Sequence, residues 1–460
     1  MKGALISLLL ATVVIRLVLV AALVFGGDPS PFAFGDSKGY LTIAENLHQG
    51  NGFSQVSSPP YLLDSSRTPV MPYVFAATKA VFGSFTPFVL VQAVLAGVLV
   101  YLTFLIALLV TKREKLALGA AALMAFEPYA IFINTSLLTE TLYAVLVTLA
   151  AYLVLLYIER RSPWPLAAAS ALFALAALTR PLAQFMPALL VALVLWREPL
   201  RSSGRFVVAA LVPFLLVVGP WVLRNHVTFG ITAISSGGLQ NVYSDLGATI
   251  LVYDEGGVWR DKKNWLEADF AARHGIPVDT IQQNLELSPV LFREGLGIML
   301  THPKGTAKSF LAISLAFLTS DVWTFYPQKW GWMEPFSLQF SPTQSLLNDG
   351  PVVTLGRVLE ASGSAALAIA LAGRIFWVVT MLLFFAGLWS LWRQGGLPRS
   401  FTVIALVSVF YYLGLVWSAG AGVNGRYRYP LDPLIFTAAV VGAAALVQRL
   451  RSVLGWHKGI

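Results

Sequence analysis

The feature that most constrains this chain is a series of apolar runs, each about as long as a helix needs to cross a bilayer. A membrane-spanning helix takes roughly 20 predominantly apolar residues. Because lipid offers the backbone no hydrogen-bonding partner, a spanning segment must be a helix or part of a closed barrel. The runs lack the apolar–polar alternation of barrel strands. The sequence therefore predicts an all-α polytopic membrane protein.

The composition supports this class and excludes several others. The 460 residues are 57% hydrophobic and only 12% charged, whereas soluble domains carry about 25% charged residues. The net charge of +9 is modest and lies mainly in short loops, so we expect no nucleic-acid partner. The chain has no cysteine for a disulfide or a thiolate site, and its five histidines lack metal-ligand spacing. The sequence therefore indicates no cofactor and no metal, although Asp36 and Glu140 could share a divalent cation on the outer face.

The distribution of basic residues gives a topology. The candidate spans are 4–26, 87–110, 116–133, 138–158, 164–180, 182–196, 205–224, 374–392, 400–419 and 431–449. With the N-terminus inside, every cluster of Lys and Arg between spans falls on the cytoplasmic side, as the positive-inside rule requires. Segments 306–320 and 353–372 are apolar enough to be further spans or interfacial helices, so we expect 10 to 12 transmembrane helices.

The same topology divides the chain into three segments. Residues 1–224 are predicted to form an N-terminal catalytic module, with a first outer loop at 27–86. Residues 225–373 form a large outer region, and residues 374–460 the C-terminal membrane helices. The protein is expected in a bacterial or archaeal plasma membrane, with its site facing outside.

Polar residues collect on the predicted outer face. They are Asp36, Lys38, Tyr40, Arg67, Glu140, Arg180, Arg224, Asn225, Arg426, Tyr427 and Arg428. Basic side chains are unusual on the side that the positive-inside rule depletes. Arginine binds phosphate through a planar, bidentate fork, so the cluster indicates a phosphate-bearing lipid.

Each of these residues also has a purely structural interpretation. Asp36 is well placed to cap the amphipathic helix that follows it, and Glu140 in a first helical turn complements the helix dipole. Arg426 and Arg428, beside Tyr427, also fit the pattern of residues that anchor a helix at the membrane interface. Arg16, in mid-span, is expected to pair with a carboxylate such as Glu127.

The chemistry that fits the combination is sugar transfer from a lipid phosphate. Asp36 would deprotonate the acceptor as general base, with Glu140 as a second acidic residue. The side chains predicted to hold the donor phosphate are Lys38, Arg67, Arg180, Arg224, Arg426 and Arg428, and those predicted to contact substrate are Tyr40, Asn225 and Tyr427. The alternatives are a flippase for a lipid-linked sugar, with polar residues along a path through the bundle, and an inactive scaffold.

Several stretches carry a family resemblance. They are Asp36-Ser37-x-x-Tyr40, Arg67-Thr68-Pro69-x-x-Pro72, Leu138-Thr139-Glu140, Leu178-Thr179-Arg180-Pro181, Pro220-Trp221-x-x-Arg224-Asn225 and Arg426-Tyr427-x-x-Pro430. Together they resemble membrane glycosyltransferases of the GT-C superfamily, especially the group of dolichyl-phosphate-mannose protein mannosyltransferases and aminoarabinose lipid A transferases.

The resemblance implies a GT-C fold with juxtamembrane helices on the outer face. It also implies a polyprenyl-phosphate sugar donor, an inverting displacement outside the cytoplasm and Asp36 as base. The acceptor stays open among lipid, glycan and protein. Many protein mannosyltransferases carry an Asp-Glu pair where this chain has Asp36-Ser37, which weakens the case for a protein acceptor.

Overall fold

A computed structural model describes residues 2–26, 31–278, 281, 285–333, 342–361, 364–422 and 425–454. Within these ranges the chain forms helices and turns but no β-strand, which confirms the all-α prediction.

In the described residues before 230 the structure has ten α-helices. They are α1 (Lys2–Phe25), α2 (Ser37–Gln49), α3 (Val70–Phe82), α4 (Phe88–Thr111), α5 (Glu114–Phe126), α6 (Pro128–Ile133), α7 (Glu140–Arg160), α8 (Pro163–Thr179), α9 (Met186–Arg197) and α10 (Leu200–Phe229).

The described part of the remaining chain adds twelve. They are α11 (Gly237–Asn241), α12 (Ala248–Glu255), α13 (Trp259–His274), α14 (Ser288–Thr301), α15 (Pro303–Thr319), α16 (Phe325–Lys329), α17 (Pro342–Asn348), α18 (Pro351–Ala361), α19 (Ser364–Gln394), α20 (Gly396–Val416), α21 (Gly425–Arg428) and α22 (Asp432–Val453).

Among the described residues, seven stretches are long and apolar enough to cross a membrane: α1, α4, α7, α10, α19, α20, and the stretch from α21 to α22. Each corresponds to one of the predicted spans. The other three predicted spans contain shorter helices. The span 116–133 is divided into α5 and α6 at Glu127, which adopts extended dihedral angles. The spans 164–180 and 182–196 correspond to α8 and α9, which have 17 and 12 residues. In the segment 353–372 the described residues belong to α18, up to Ala361, and to α19, from Ser364.

The helices form two compact units that are discontinuous in sequence. The first unit comprises Met1–Ile234, Val379–Val409 and Tyr429–Ile460, and the second Ser235–Val378 and Phe410–Arg428. These units follow packing, whereas the predicted division at 224 and 373 follows loop length and stays a prediction.

Inside the first unit, α22 packs against α4 and α5 and also meets the second half of α19. A side chain added at Gly387 would collide with the carbonyl of Ala438, and one at Gly442 with the carbonyl of Leu383. Small residues let membrane helices approach backbone to backbone. The second unit has its own core around Tyr243, Leu251, Phe270 and Leu291.

Candidate active site

Helix α2 positions the first candidate residue. Its apolar side chains Tyr40, Ile43 and Ala44 are buried along one face, as the sequence spacing predicts. The helix ends at Gly50, whose φ of +80° suits glycine and whose N–H bonds to the carbonyls of Asn46 and Leu47.

Asp36 precedes α2 but does not cap it through its side chain. The adjacent Ser37 is fully buried, and its hydroxyl accepts a hydrogen bond of 3.0 Å from the N–H of Phe34. The Asp36 carboxylate instead accepts a hydrogen bond of 3.2 Å from Nη2 of Arg67. Asp36 therefore takes the capping position while its carboxylate forms an ion pair with a side chain 31 residues away.

Arg67 is held on several sides. Its guanidinium carbon lies 4.8 Å from the centre of the Tyr40 ring. A Cβ added to Gly39 would lie 3.4 Å from two nitrogens of Arg67 and 2.6 Å from Oε1 of Gln55, so a larger residue there would displace the Gln55 side chain. Burial works to lower the pKa of Arg67, but Tyr40 and Asp36 outweigh it and raise the pKa. The guanidinium is therefore always charged.

Asp64 organises the loop before Arg67. Its carboxylate accepts hydrogen bonds from the N–H of Arg67 at 2.8 Å, from Gln55 at 2.7 Å and from the hydroxyl of Ser66 at 2.8 Å. Sequence reasoning missed this residue. An Asp three positions before the arginine of a loop is the available signal, since Asp side chains commonly bond to nearby backbone N–H groups.

Arg224 reaches the same loop from the end of α10. Its Nη1 donates to the carbonyl of Asp64 at 2.8 Å, and its guanidinium lies 4.7 Å from the centre of the Trp221 ring. The amide of Asn225, 1% exposed, donates to the carbonyls of Ala233 and Ile234. Asn225 thus secures the turn after α10, and its substrate contact stays a prediction.

A second acid–arginine pair lies where α7 begins. Glu140 is the first residue of α7 and its side chain has no exposed surface. Its Oε1 accepts a hydrogen bond of 2.5 Å from Nη1 of Arg180, which also donates to the hydroxyl of Thr139 at 3.3 Å. Glu140 is enclosed by protein, whereas Arg180 keeps 13% of its side chain exposed.

One hydrogen bond connects the two pairs. The hydroxyl of Thr68, next to Arg67, donates to the carbonyl of Thr179, next to Arg180, at 2.9 Å. The predicted residues Asp36, Tyr40, Arg67, Glu140 and Arg180 thereby come together in one unit, although 144 positions separate the first from the last.

Other predicted site residues lie outside the two acid–arginine pairs. Lys38 is exposed, and among the described residues no side-chain hydrogen bond from it is seen. Arg428 is 1% exposed and donates to the carbonyls of Phe317, Leu318 and Ser320 at the end of α15, with its guanidinium 3.3 Å from the centre of the Trp377 ring. Cations are favourable at helix C-termini, so these contacts favour a structural role for Arg428.

Arg426 and Tyr427 are half-buried and, like Arg428, belong to the second unit. Their predicted roles in phosphate and substrate binding stay predictions.

The mid-span arginine has partners other than the expected carboxylate. Arg16 donates to the amide oxygen of Asn134 at 2.9 Å and to the carbonyls of Thr12 and Ala125. The Asn134 amide in turn donates to the hydroxyl of Tyr429 at 2.8 Å. Glu127 caps α6 by accepting from the N–H of Ala130. These contacts form a buried network between helices.

In the part of the chain that the structure describes, no three His, Asp or Glu side chains are grouped as metal ligands would be. The expectation that the protein needs no metal stays a prediction.

Comparison with known proteins finds a family model that matches part of the chain and a similar fold. Residues 66–223 match the family model described as dolichyl-phosphate-mannose-protein mannosyltransferase. This segment includes Arg67, Glu140 and Arg180 but not Asp36. A search of curated proteins finds no significant match.

The fold matches solved structures of the oligosaccharyltransferase of Archaeoglobus fulgidus. The apo form aligns with a TM-score of 0.54 at 12% identity, over 100% of this chain and 52% of that one. The complex with an inhibitory peptide and a dolichol-phosphate aligns with a TM-score of 0.51 at 12% identity, over 100% and 53%. A complex with Zn and sulfate aligns with a TM-score of 0.52 at 12% identity, over 97% and 49%.

The chain thus spans about half the length of the solved structures it matches, so the comparison concerns a shared fold and not their whole activity. The family match over residues 66–223 and the similar helical fold are both consistent with the predicted resemblance to GT-C membrane glycosyltransferases.

Proposed function

We propose that this protein transfers a sugar from a polyprenyl-phosphate donor to an acceptor on the extracytoplasmic side of the membrane, with Asp36 as general base. The observation that carries the proposal is the hydrogen bond between Arg67 and the accessible carboxylate of Asp36. The bond from Thr68 to the carbonyl of Thr179 links this pair to Arg180, a second arginine in the same unit. A base beside a phosphate-binding arginine is what displacement of a lipid phosphate needs.

In this reaction the acceptor hydroxyl or amine attacks the anomeric carbon of the sugar, and Asp36 takes the acceptor proton. The bond between the anomeric carbon and the phosphate oxygen breaks, and polyprenyl phosphate leaves with the electron pair. Attack opposite to the leaving group inverts the anomeric centre. Arg67 and Arg180 stabilise the charge that develops on the phosphate, since charge-assisted bonds to guanidinium groups are strong and directional.

The ion pair between Asp36 and Arg67 has a role in this sequence of events. The two side chains are 39% and 28% exposed, so an arriving phosphate can compete with the carboxylate for Arg67. Once Arg67 turns to the phosphate, the Asp36 carboxylate is released to receive the acceptor proton. Donor binding would then precede effective use of the base.

The sidedness rests on α7. Glu140 is its first residue and Arg160 its last, which places them about 30 Å apart at 1.5 Å per residue. At the Arg160 end, Lys112 forms an ion pair with Glu159. Basic residues cluster on the cytoplasmic side of membrane proteins, which supports an extracytoplasmic position for Glu140 and the residues around it.

The donor class is supported by the mannosyltransferase family match and by the oligosaccharyltransferase of the same fold, which was solved with a dolichol-phosphate and an inhibitory peptide. The acceptor is a lipid, a glycan or a protein. Position 37, where some relatives have Glu, is a fully buried Ser here and takes part in the turn before α2.

The test is product formation by the full chain in proteoliposomes that contain polyprenyl-phosphate sugars and candidate acceptors. We expect the intact protein to form a new glycosidic bond, detected by mass spectrometry, and Asp36→Asn to bind donor without forming it. Full transfer by Asp36→Asn would overturn the assignment of the base.

The same assay separates the enzyme from a flippase. A flippase would move the labelled donor across the bilayer and form no new glycosidic bond. The buried contacts of Arg16 with Asn134 and backbone carbonyls favour a packing role for that residue over a place on a transport path.

A further inference from the structure

Within the first unit, a hydrogen bond from Thr68 connects the two acid–arginine pairs. Thr68 is 2% exposed, and the carbonyl that it bonds belongs to Thr179, which has no exposed surface. The bond joins segments 111 residues apart in sequence. Because each threonine is covalently attached to one of the arginines, the bond limits how far the backbones of Arg67 and Arg180 can separate.

The local sequence explains why the bond forms there. Pro181 disfavours helical angles for the residue before it, and Arg180 is extended with φ −147° and ψ 130°, so α8 ends at Thr179. The last carbonyls of a helix have no partner within the helix. The Thr68 hydroxyl supplies one for Thr179, which removes the cost of burying an unbonded carbonyl.

Glu140 restrains the other end of Arg180. Its carboxylate is enclosed and bonded to Nη1, with Thr139 beside it. A group with no exposed surface is out of reach of a substrate. The burial of Glu140 favours a role through Arg180 over direct contact with the reacting atoms, which differs from the catalytic role that the sequence suggested.

We propose that Thr68 and Glu140 are positioning residues that hold Arg67 and Arg180 as a single binding site for the donor phosphate. The inference rests on the proposed function for the identity of the ligand. The two residues act in different ways. Thr68 sets the spacing of the two backbones, and Glu140 sets the direction of one guanidinium. A bidentate contact from each arginine requires both, because charge-assisted forks are sensitive to geometry.

The experiment compares Thr68→Val with Thr68→Ser in the full chain reconstituted in nanodiscs. Valine preserves the shape and removes the hydroxyl, whereas serine keeps the hydroxyl and removes the methyl group. Binding of sugar-free polyprenyl phosphate is measured together with kcat and donor KM. We expect Thr68→Val to weaken phosphate binding about 3- to 10-fold, the loss of one hydrogen bond, and Thr68→Ser to bind like the intact protein.

The same substitution made in the Arg180→Met variant separates an effect on arginine positioning from an effect on protein stability. In Arg180→Met the phosphate contact that Thr68 supports is already gone, so adding Thr68→Val should change phosphate binding no further. A similar loss in both backgrounds, or a loss in Thr68→Ser as large as in Thr68→Val, would overturn the inference. So would an unchanged phosphate affinity in Thr68→Val.

Glu140 is tested by Glu140→Asp, which keeps the charge but withdraws the carboxylate by one methylene group. We expect weaker phosphate binding with unchanged acceptor KM, and unchanged phosphate binding would remove Glu140 from the inference. The proposed function can fail separately. If the intact protein binds polyprenyl phosphate and shows the Thr68 effect but forms no glycosidic bond, the positioning roles stand and the transferase does not.

Discussion

The two acid–arginine pairs of the first unit have the same chemistry in different surroundings. Asp36 and Arg67 are 39% and 28% exposed and meet through a bond of 3.2 Å, whereas Glu140 and Arg180 are 0% and 13% exposed and meet at 2.5 Å. An exposed pair contributes little to stability, but a buried charge depends on its partner. The comparison indicates that the first pair can exchange partners during a reaction and that the second is a fixed part of the site.

The largest expected effect is on catalysis through the exposed pair. Asp36→Asn should lower the transfer rate about 10²- to 10⁴-fold, the usual contribution of a general base. The melting temperature should stay close to that of the intact protein, because an exposed ion pair stabilises little. Transfer assays and thermal melting of the same preparation measure both.

Glu45→Gln is the matched control for Asp36→Asn. Glu45 lies on α2, the helix that follows Asp36, but pairs with Lys79, so its loss should leave transfer unchanged. An equal loss of transfer in both variants would contradict a specific role for Asp36.

The second prediction concerns stability through the buried pair. Glu140→Gln leaves Arg180 without its carboxylate, and breaking a buried pair costs about 3–5 kcal/mol. Thermal or denaturant unfolding should show this loss clearly, in contrast to Asp36→Asn. The double variant Glu140→Gln/Arg180→Met removes both charges and should recover part of the lost free energy of unfolding. Equal melting temperatures for Glu140→Gln and Asp36→Asn would erase the distinction between the pairs.

The third prediction is on donor affinity. Arg67→Ala should weaken donor binding about 10- to 100-fold, because hydrogen bonds to charged groups contribute about 1.5–3 kcal/mol. Arg67→Lys should retain only part of the donor affinity, since Lys lacks the planar fork. Titration with donor measures both. Lys38→Ala is the comparison: its exposed side chain should contribute less, and a larger effect from Lys38 than from Arg67 would reverse the assignment.

The smallest effect is the pH dependence of a third pair in the first loop. The hydrogen bond from Lys79 lowers the pKa of Glu45. A carboxyl group whose pKa falls on folding stabilises the protein above its usual pKa, and this contribution disappears as the pH falls through the lowered value. Glu45→Gln should therefore lose less than about 1 kcal/mol near neutral pH, and its melting temperature should converge with that of the intact protein in acid.

A melting-temperature difference between Glu45→Gln and the intact protein that grows on acidification would contradict this sign.

Much of the helical architecture was predictable because its cause is local. The seven long helices follow from apolar runs, and α2 follows from the spacing of Tyr40, Ile43 and Ala44. The three shorter helical segments were less predictable. The chain leaves helical geometry at Glu127 inside one apolar run, and hydropathy averages over such a break.

The candidate site was predictable in its charged residues but not in their pairing. Asp36, Arg67, Glu140 and Arg180 stood out as charges near the ends of apolar runs. The supporting residues Asp64, Gln55, Thr68 and Thr179 did not, because short polar residues in loops are common and their roles depend on partners far along the chain. Arg428 was expected at the phosphate, yet its contacts with the end of α15 appear only once the second unit is folded.

By itself the sequence determined that this is a helical membrane protein with acidic and basic residues at one end of its spans. The reason is that hydropathy and backbone satisfaction in lipid act along the chain. Only the tertiary structure decided which carboxylate meets which arginine, across 31 residues for Asp36 and 40 for Glu140. It also decided which pair is open to solvent, because burial depends on every element packed around a side chain. The proposed division of roles, with Asp36 as base and Glu140 as positioning residue, rests on that difference in exposure.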